Sequence, residues 1–593
     1  MSDAGVTVSD IPAAGPPRAH QSSRLPGWIW LVGTIALLWV LIAGVEAALV
    51  AVHVHRGTAQ VDEARRQLAP EDLKSGAALP ALRRAGADFR AAHREASHPA
   101  LLPVRLLPVL GRQLRAVIAL TQAGDRVTVV GADTIREADA ALSAPHADGA
   151  ARLALLHRIA AVSMTAADRL RAVELGPSHG LLGPLASRRR RLGAGLERVV
   201  NAADRAAGAT SAMADLLSGR RYLVLAANNA EMRAGSGMFL SVGVLESSAG
   251  AFHLGPVRPS ADFDLPGDGV ALGGTLAERW GWLHPNREWR NLGLSPQFDE
   301  TGPLAARMWQ AAQGQPIDGV LAVDVEALKT MLSVTGPVAT DRGEVSAGNV
   351  EPLLFHDQYV GVTPDPSSSV VRRDRLGAIA SNALTALQGG GVDLARLGHQ
   401  LANASGGRHI LAWAARPEIE AAWQRAGVGG TLEPNAAMVS VLNRGANKLD
   451  QFIRVAPALT RHRVGSDTQI TLSVTMRNDV PPNEPPYVAG VGEAGVPPGT
   501  YLGLLAIDLP AAAGDVQLVP AGPASVAGPD GASQVVATRI ELGPGQVVTV
   551  ALTFRVAGRH RRLRIDPSAR VPPVLWTTGR STFTDLSPHD LTW

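Results

Sequence analysis

Trp28 to Val45 reads WIWLVGTIALLWVLIAGV without one charge, and Ala47 to Val52 extends the run past Glu46. An apolar stretch of about 20 residues is long enough to cross a bilayer as a helix. The other apolar runs of the 593-residue chain are much shorter. Trp28 and Trp30 would then lie at one membrane interface, with Arg18 and Arg24 before the span and Arg56 after it. A cleaved signal peptide has a shorter apolar core, about 7–15 residues. The expectation is therefore a transmembrane signal anchor over 25–54 and a disordered cytoplasmic tail over 1–24. The protein would be single-pass in the plasma membrane, with the bulk of the chain extracytoplasmic.

The texture then changes three times. Over 55–219 apolar residues recur every three or four positions, as in Leu155, Ile159, Val162, Ala166 and Leu170. That spacing gives each helix one apolar face and predicts a helical bundle stalk, broken near Pro99–Pro108, Pro145 and Gly176–Pro184. Over 220–450 short apolar runs alternate with helix-like segments and glycine turns, which predicts an α/β head. After Gln451, Ile470, Leu472, Val474 and Met476 alternate with polar residues, and further short strands follow between Gly/Pro turns. This predicts an immunoglobulin-like β-sandwich over 451–593. The fold class is thus α+β multidomain.

Composition excludes several chemistries. The chain has no cysteine, which rules out disulfides and thiolate ligands. A net charge of +3 gives no overall reason to expect nucleic acid. P-loop, G-x-S-x-G and H-E-x-x-H motifs are missing. His53 and His55 stand at i and i+2, off a common helical face, so no metal site is expected there. Arg188 to Arg191 open one helix of the bundle. They read as a solvated face or as a contact for anionic lipid or a polyanionic wall polymer.

Asn228-Asn229-Ala230-Glu231-Met232-Arg233 ends one apolar run and, through Gly235 and Gly237, leads into another. Polar groups closing a buried strand mark either a hydrogen-bonded turn or a binding site at a sheet edge. The stretch resembles the core motif of the DUF4012 proteins of bacterial envelopes, in which a strand ending N-N-x-E-x-R precedes a glycine turn and a second strand. Three more blocks carry the resemblance: Trp289 to Phe298, which contains Arg290; Ile317 to Asp324; and Asn443 to Asp450. It implies a domain and no established activity.

Arg372, Arg373 and Arg375 stand before a predicted helix, Gly377–Leu387. A helix N-terminus favours an anion, and guanidinium forks match phosphate. The alternative is surface pairing with acids. The order Asp318 to Asp324, helix, Thr335 to Val338 also resembles a segment of the LytR-CpsA-Psr phosphotransferases. In that family a divalent metal sits on a polyprenyl pyrophosphate whose glycan is moved to a wall polymer. Arg372 and Arg375 match two arginines of its later motif, whereas Leu376-Gly377-Ala378 departs from it.

These readings give one leading function and two alternatives. The first is a membrane-anchored envelope protein that binds an anionic glycan or lipid-linked ligand through Asn228, Asn229, Glu231, Arg233, Arg290, Asp324, Arg372 and Arg375, without nucleic acid. The second is a glycopolymer phosphotransferase in which Arg233, Arg372 and Arg375 hold the pyrophosphate. Asp324 or Glu231 would there bind Mg2+ or act as base. The third is a purely structural envelope protein.

Overall fold

The computed structural model describes residues 27–67, 78–144, 148–340, 343–362, 379–388, 393–491, 495–519, 524–558, 562–579 and 581–593. The chain is α+β, with long helices first and several sheets after them. The long N-terminal helices are α1 (Gly27–Arg66), α2 (Ala78–Ala96), α4 (Pro108–Leu142), α5 (Gly149–Arg171) and α6 (Gly183–Leu216), with a single turn α3 (Leu102–Arg105) between α2 and α4. The interruption expected at Pro145 lies outside the described residues.

The expectation of a membrane anchor is corrected. Among the described residues no helix is long and apolar enough to cross a membrane, and single-pass plasma-membrane placement loses its basis with it. The apolar run is one part of α1, a 40-residue helix that continues through Glu46, His53, Arg56 and Glu63 to Arg66. Polar contacts tie its described part to later residues, while Leu41, Ile42, Val45, Leu49 and Val52 stay exposed. Trp39 Nε1 donates to the Ala100 carbonyl at 2.7 Å, and Glu46 lies 3.6 Å from His98.

The fold divides into two compact units. The first comprises Met1–Ala59, Ala85–Asp125 and Glu174–Arg189. Within it a Cβ at Gly57 would stand 3.1 Å from the Phe89 ring, and one at Gly124 2.8 Å from it. The missing side chains let the helices close on that ring.

The second unit comprises Gln60–Arg84, Arg126–Val173 and Arg190–Trp593. Its first sheet has the order β3-β2-β1-β5-β8, with β4 (Arg258–Pro259) also on β2. The strands are β1 (Arg221–Met232), β2 (Gly237–Ser248), β3 (Ala251–Leu254), β5 (Gly319–Val323) and β8 (Ile410–Ala414). Only β1 and β5 run parallel; β1–β2 and β5–β8 are antiparallel. Helices α7 (Gly274–Trp280), α8 (Phe298–Gln313), α9 (Val325–Thr335), α10 (Val350–Phe355), α11 (379–388), α12 (Leu394–Gly406) and α13 (Pro417–Ala426) accompany it. A hairpin, β6 (Val338–Thr340) and β7 (Gly343–Val345), follows α9.

Two six-stranded sheets complete the unit, β13-β16-β11-β10-β18-β19 and β14-β15-β12-β9-β17-β20, with edge strands β13 (Gly514–Val519), β14 (Val526–Asp530), β19 (Ser581–Thr584) and β20 (His589–Thr592). Their central strands are β9 (Ala436–Asn443), β10 (Ile453–Val464), β11 (Asp467–Asn478), β12 (Tyr501–Leu509), β15 (Ser533–Leu542) and β16 (Val547–Val556). Ile470, Leu472, Val474 and Met476 fill the core between the sheets, with Val439 and Val441 of β9 and Leu505 and Ile507 of β12. The second sheet is covered on both faces. Leu442, Leu504, Ala506, Val535 and Ala537 join Trp280, Phe298, Leu304 and Met308 in the core of the head. β9 therefore belongs to the sandwich although its residues precede Gln451. The β9–β17 (Arg562–Ile565) and β10–β18 (Leu575–Thr578) pairs are parallel, which an all-antiparallel immunoglobulin sandwich lacks.

Candidate functional site

Parallel pairing of β1 with β5 brings the carboxyl ends of both strands to one edge, with Ala226 opposite Val323. Asn228 to Met232 and Asp324 therefore meet. The pairing of β1 with β2 shifts register between Asn228 and Met232, so the polar motif sits on a bulge that re-aims its side chains. A Cβ on Gly237 would come within 2.4 Å of the Asn228 backbone; only glycine permits this approach.

Asn229 is fully buried and acts as a clasp. Its amide donates to Asp324 Oδ2 at 2.7 Å and to the Ala569 carbonyl at 2.8 Å. Asp324 caps α9, accepting from Ala327 N at 3.1 Å, and lies 2.7 Å from His409 Nδ1. Burial disfavours the His409 imidazolium, but the Asp324 carboxylate more than offsets this and raises its pKa above 6.5. The interaction thus contributes fully below about pH 6.5 and is lost as pH climbs through the raised folded-state value. Stability should decline over that window, by no more than about 1.4 kcal/mol per pH unit for one proton. Denaturant titrations at stepped pH should show the slope in the native chain and its loss in His409→Gln. Equal slopes in both would assign the titration to another group.

Glu231 and Arg233 do not pair with each other. Glu231 forms an ion pair with Lys448, and Asn228 Nδ2 donates to the same carboxylate oxygen at 3.3 Å. Burial alone would lower the Lys448 pKa; Glu231 turns the shift upward. Arg233 is buried and donates to neutral oxygens: the carbonyls of Arg290 at 3.0 Å, Met232 at 3.0 Å and Asn443 at 2.7 Å, and Asn291 Oδ1 at 3.3 Å. Burial, with nearby Arg444 adding to it, lowers its pKa to about 10 against the pull of Glu231 and Asp450. It stays cationic near neutrality.

A cavity of about 680 Å³ opens over these groups. Asn228, Glu231, Arg233, Arg290 and Asp324 line it, as do Asn443, Arg444, Lys448 and Tyr359. Asn229 is not in the lining. Arg290 is exposed, 3.8 Å from Glu288. Among the described residues neither Arg233 nor Arg444 forms an ion pair with a carboxylate. Much of the remaining wall is apolar, with Val224, Ala226 and Leu240 from the sheet, Leu254 and Val257, Leu328 and Met331 from α9, and Leu354 from α10; Ser241, Ser260, Glu288, Asn291 and Gln358 add polar groups to it. Arg372, Arg373 and Arg375 lie outside the described residues.

Sequence reasoning did not assign Arg444, Lys448 or His409 to the site. The first two stand inside the Asn443–Asp450 block, which held the only available signal. That block folds back onto β1. Asn443 Nδ2 donates to Asp450 Oδ2 at 2.9 Å, and Asp450 Oδ2 also accepts from Met232 N at 3.0 Å.

The carboxylates at the cavity do not fit a divalent cation. Asp324 spends one oxygen on its helix cap and the other on Asn229 and His409, and Glu231 faces the Lys448 ammonium. Mg2+ is usually held through one or two carboxylates, with waters completing its octahedron, and both carboxylates here are already engaged by their own partners.

Residues 218–359 match the family described as "Protein of unknown function (DUF4012)". No curated protein and no solved structure matches the chain.

Proposed function

We propose that the head binds an anionic, phosphate-bearing, lipid-linked ligand, and that the chain is a binding protein of the bacterial cell envelope. The observation that carries this reading is Arg233: a buried guanidinium lining a cavity, held by neutral oxygens and lacking a carboxylate partner. A buried cation without a counter-charge is costly, and a bound anion supplies one. Arg444, exposed and set over the Trp282 ring, adds a second guanidinium to the lining. The apolar wall behind them fits a hydrocarbon chain, since ligand sites are mostly apolar with a few convergent polar groups. Donor geometry favours phosphate or carboxylate at the guanidinium end. Engagement of Asp324 and Glu231 weighs against the phosphotransferase alternative.

The test is calorimetric titration with farnesyl phosphate and with farnesol. The phosphate should bind and the alcohol should bind at least tenfold more weakly. Arg444→Ala removes an exposed cation. Loss of a charge-assisted bond, about 1.5–3 kcal/mol, should weaken the phosphate by roughly 10- to 100-fold at unchanged melting temperature. Equal binding of phosphate and alcohol would remove the anion from the reading; binding of neither would leave the structural alternative.

A further inference from the structure

The segment 96–124 contains no acidic residue. Its middle reads LLPVRLLPVLGRQLR from Leu101 to Arg115, and it builds the end of α2, the turn α3 and the start of α4. Leu101 is buried, but most of the large apolar side chains after it stay out of the core. Leu106 is 85% exposed, and Leu102, Leu107, Val109 and Leu110 lie between 45% and 62%. A second acid-free stretch, 175–196, joins them. Gln113 Nε2 donates to the Gly180 carbonyl at 2.9 Å, and its Oε1 accepts from Leu182 N at 3.0 Å. This sets Leu182, also 58% exposed, beside the first turns of α4. Arg105, Arg112, Arg115, Arg188 and Arg189 are interspersed with the leucines or follow them. These leucines and arginines belong to the first compact unit.

Six large apolar side chains this exposed in two joined segments mark an interaction surface. Its charge selects the occupant. A second copy would bring like charges together, whereas an anionic lipid surface offers both hydrocarbon and negative headgroups. The backbone of the patch is largely helical and so hydrogen-bonds to itself, as an apolar medium demands. We infer that this leucine-arginine tip docks on the surface of an anionic bilayer, entering only the headgroup region.

Flotation of the full chain with vesicles tests this. Vesicles of phosphatidylglycerol and phosphatidylcholine at 3:7, about the anionic content that attracts basic segments, should carry the chain up the gradient. Pure phosphatidylcholine should carry far less. The variant Leu106→Glu/Leu107→Glu changes exposed side chains only and should lower binding at least tenfold with an unchanged melting temperature. Arg105→Gln/Arg112→Gln/Arg115→Gln should lower binding to the anionic vesicles by about 100-fold, at roughly fivefold for each of the three arginines, and erase their advantage over neutral ones. Flotation that is the same in the glutamate variant overturns the proposal. So does equal flotation on neutral vesicles. Concentration-dependent self-association in light scattering that the glutamate variant abolishes, without flotation, would assign the patch to a second copy instead.

Discussion

Asp450→Ala should cost about 3–5 kcal/mol of unfolding free energy, the range for removing one partner of a buried pair. Asp450 is fully buried. One oxygen accepts from Met232 N and Asn443 Nδ2; the other accepts from Tyr501 OH at 3.0 Å and Arg570 Nη1 at 2.8 Å. Arg570 is equally inaccessible and otherwise reaches only the carbonyls of Asp450 and Ile453. Alanine would strand that guanidinium in a medium where water cannot replace the carboxylate. Asp450→Ala/Arg570→Met removes both charges and should recover part of the loss. Urea midpoints decide it. A single-mutant cost under about 1 kcal/mol, in the range of an exposed pair, would mean that the charge is hydrated after all.

The Glu231–Lys448 pair should separate stability from binding. Both side chains are about nine-tenths buried. Lys448→Met leaves the Glu231 carboxylate unbalanced and should destabilise by about 3 kcal/mol or more. It should also repel an anionic ligand. Glu231→Gln also removes the ion pair and lowers stability, yet frees the Lys448 ammonium to meet the ligand, so affinity for farnesyl phosphate should rise. Opposite signs in the two binding titrations, with the same sign in the two melting curves, are the expected result. Parallel losses of affinity would make the pair a brace for the fold with no electrostatic part in the site.

The two polar blocks of the site were readable because strand ends carry their chemistry in consecutive residues: Asn228 to Arg233 and Asn443 to Asp450. What could not be read was their meeting. Glu231 and Lys448 stand 217 positions apart, and a charged residue near a turn has the same sequence signature whether solvated or buried. Arg570 and the Ala569 carbonyl come from an irregular stretch with no periodicity to flag it. The strand β9 was masked for a different reason. Every residue from Ala436 to Asn443 is buried, one face packing into the head and the other into the sandwich. Period-two alternation exists only where one face meets water. The apolar run in α1 misled in the opposite direction. Its composition was read in isolation, whereas α1 runs on through charged residues to Arg66, and Trp39 hydrogen-bonds to the Ala100 carbonyl.

The strand β9 ends at Asn443, and the next residue, Arg444, is a wall of the cavity. The loop after β17 reaches back to the same place, through Ala569 to Asn229 and Arg570 to Asp450. Tension applied along the C-terminal sheets would therefore be borne by the ligand cradle itself. A bound anion pulling Arg233 and Arg444 together would act as a cross-tie. In a force-extension experiment the liganded protein should rupture at higher load than the empty one, so occupancy of the cavity would register as mechanical stiffness at a distance from it.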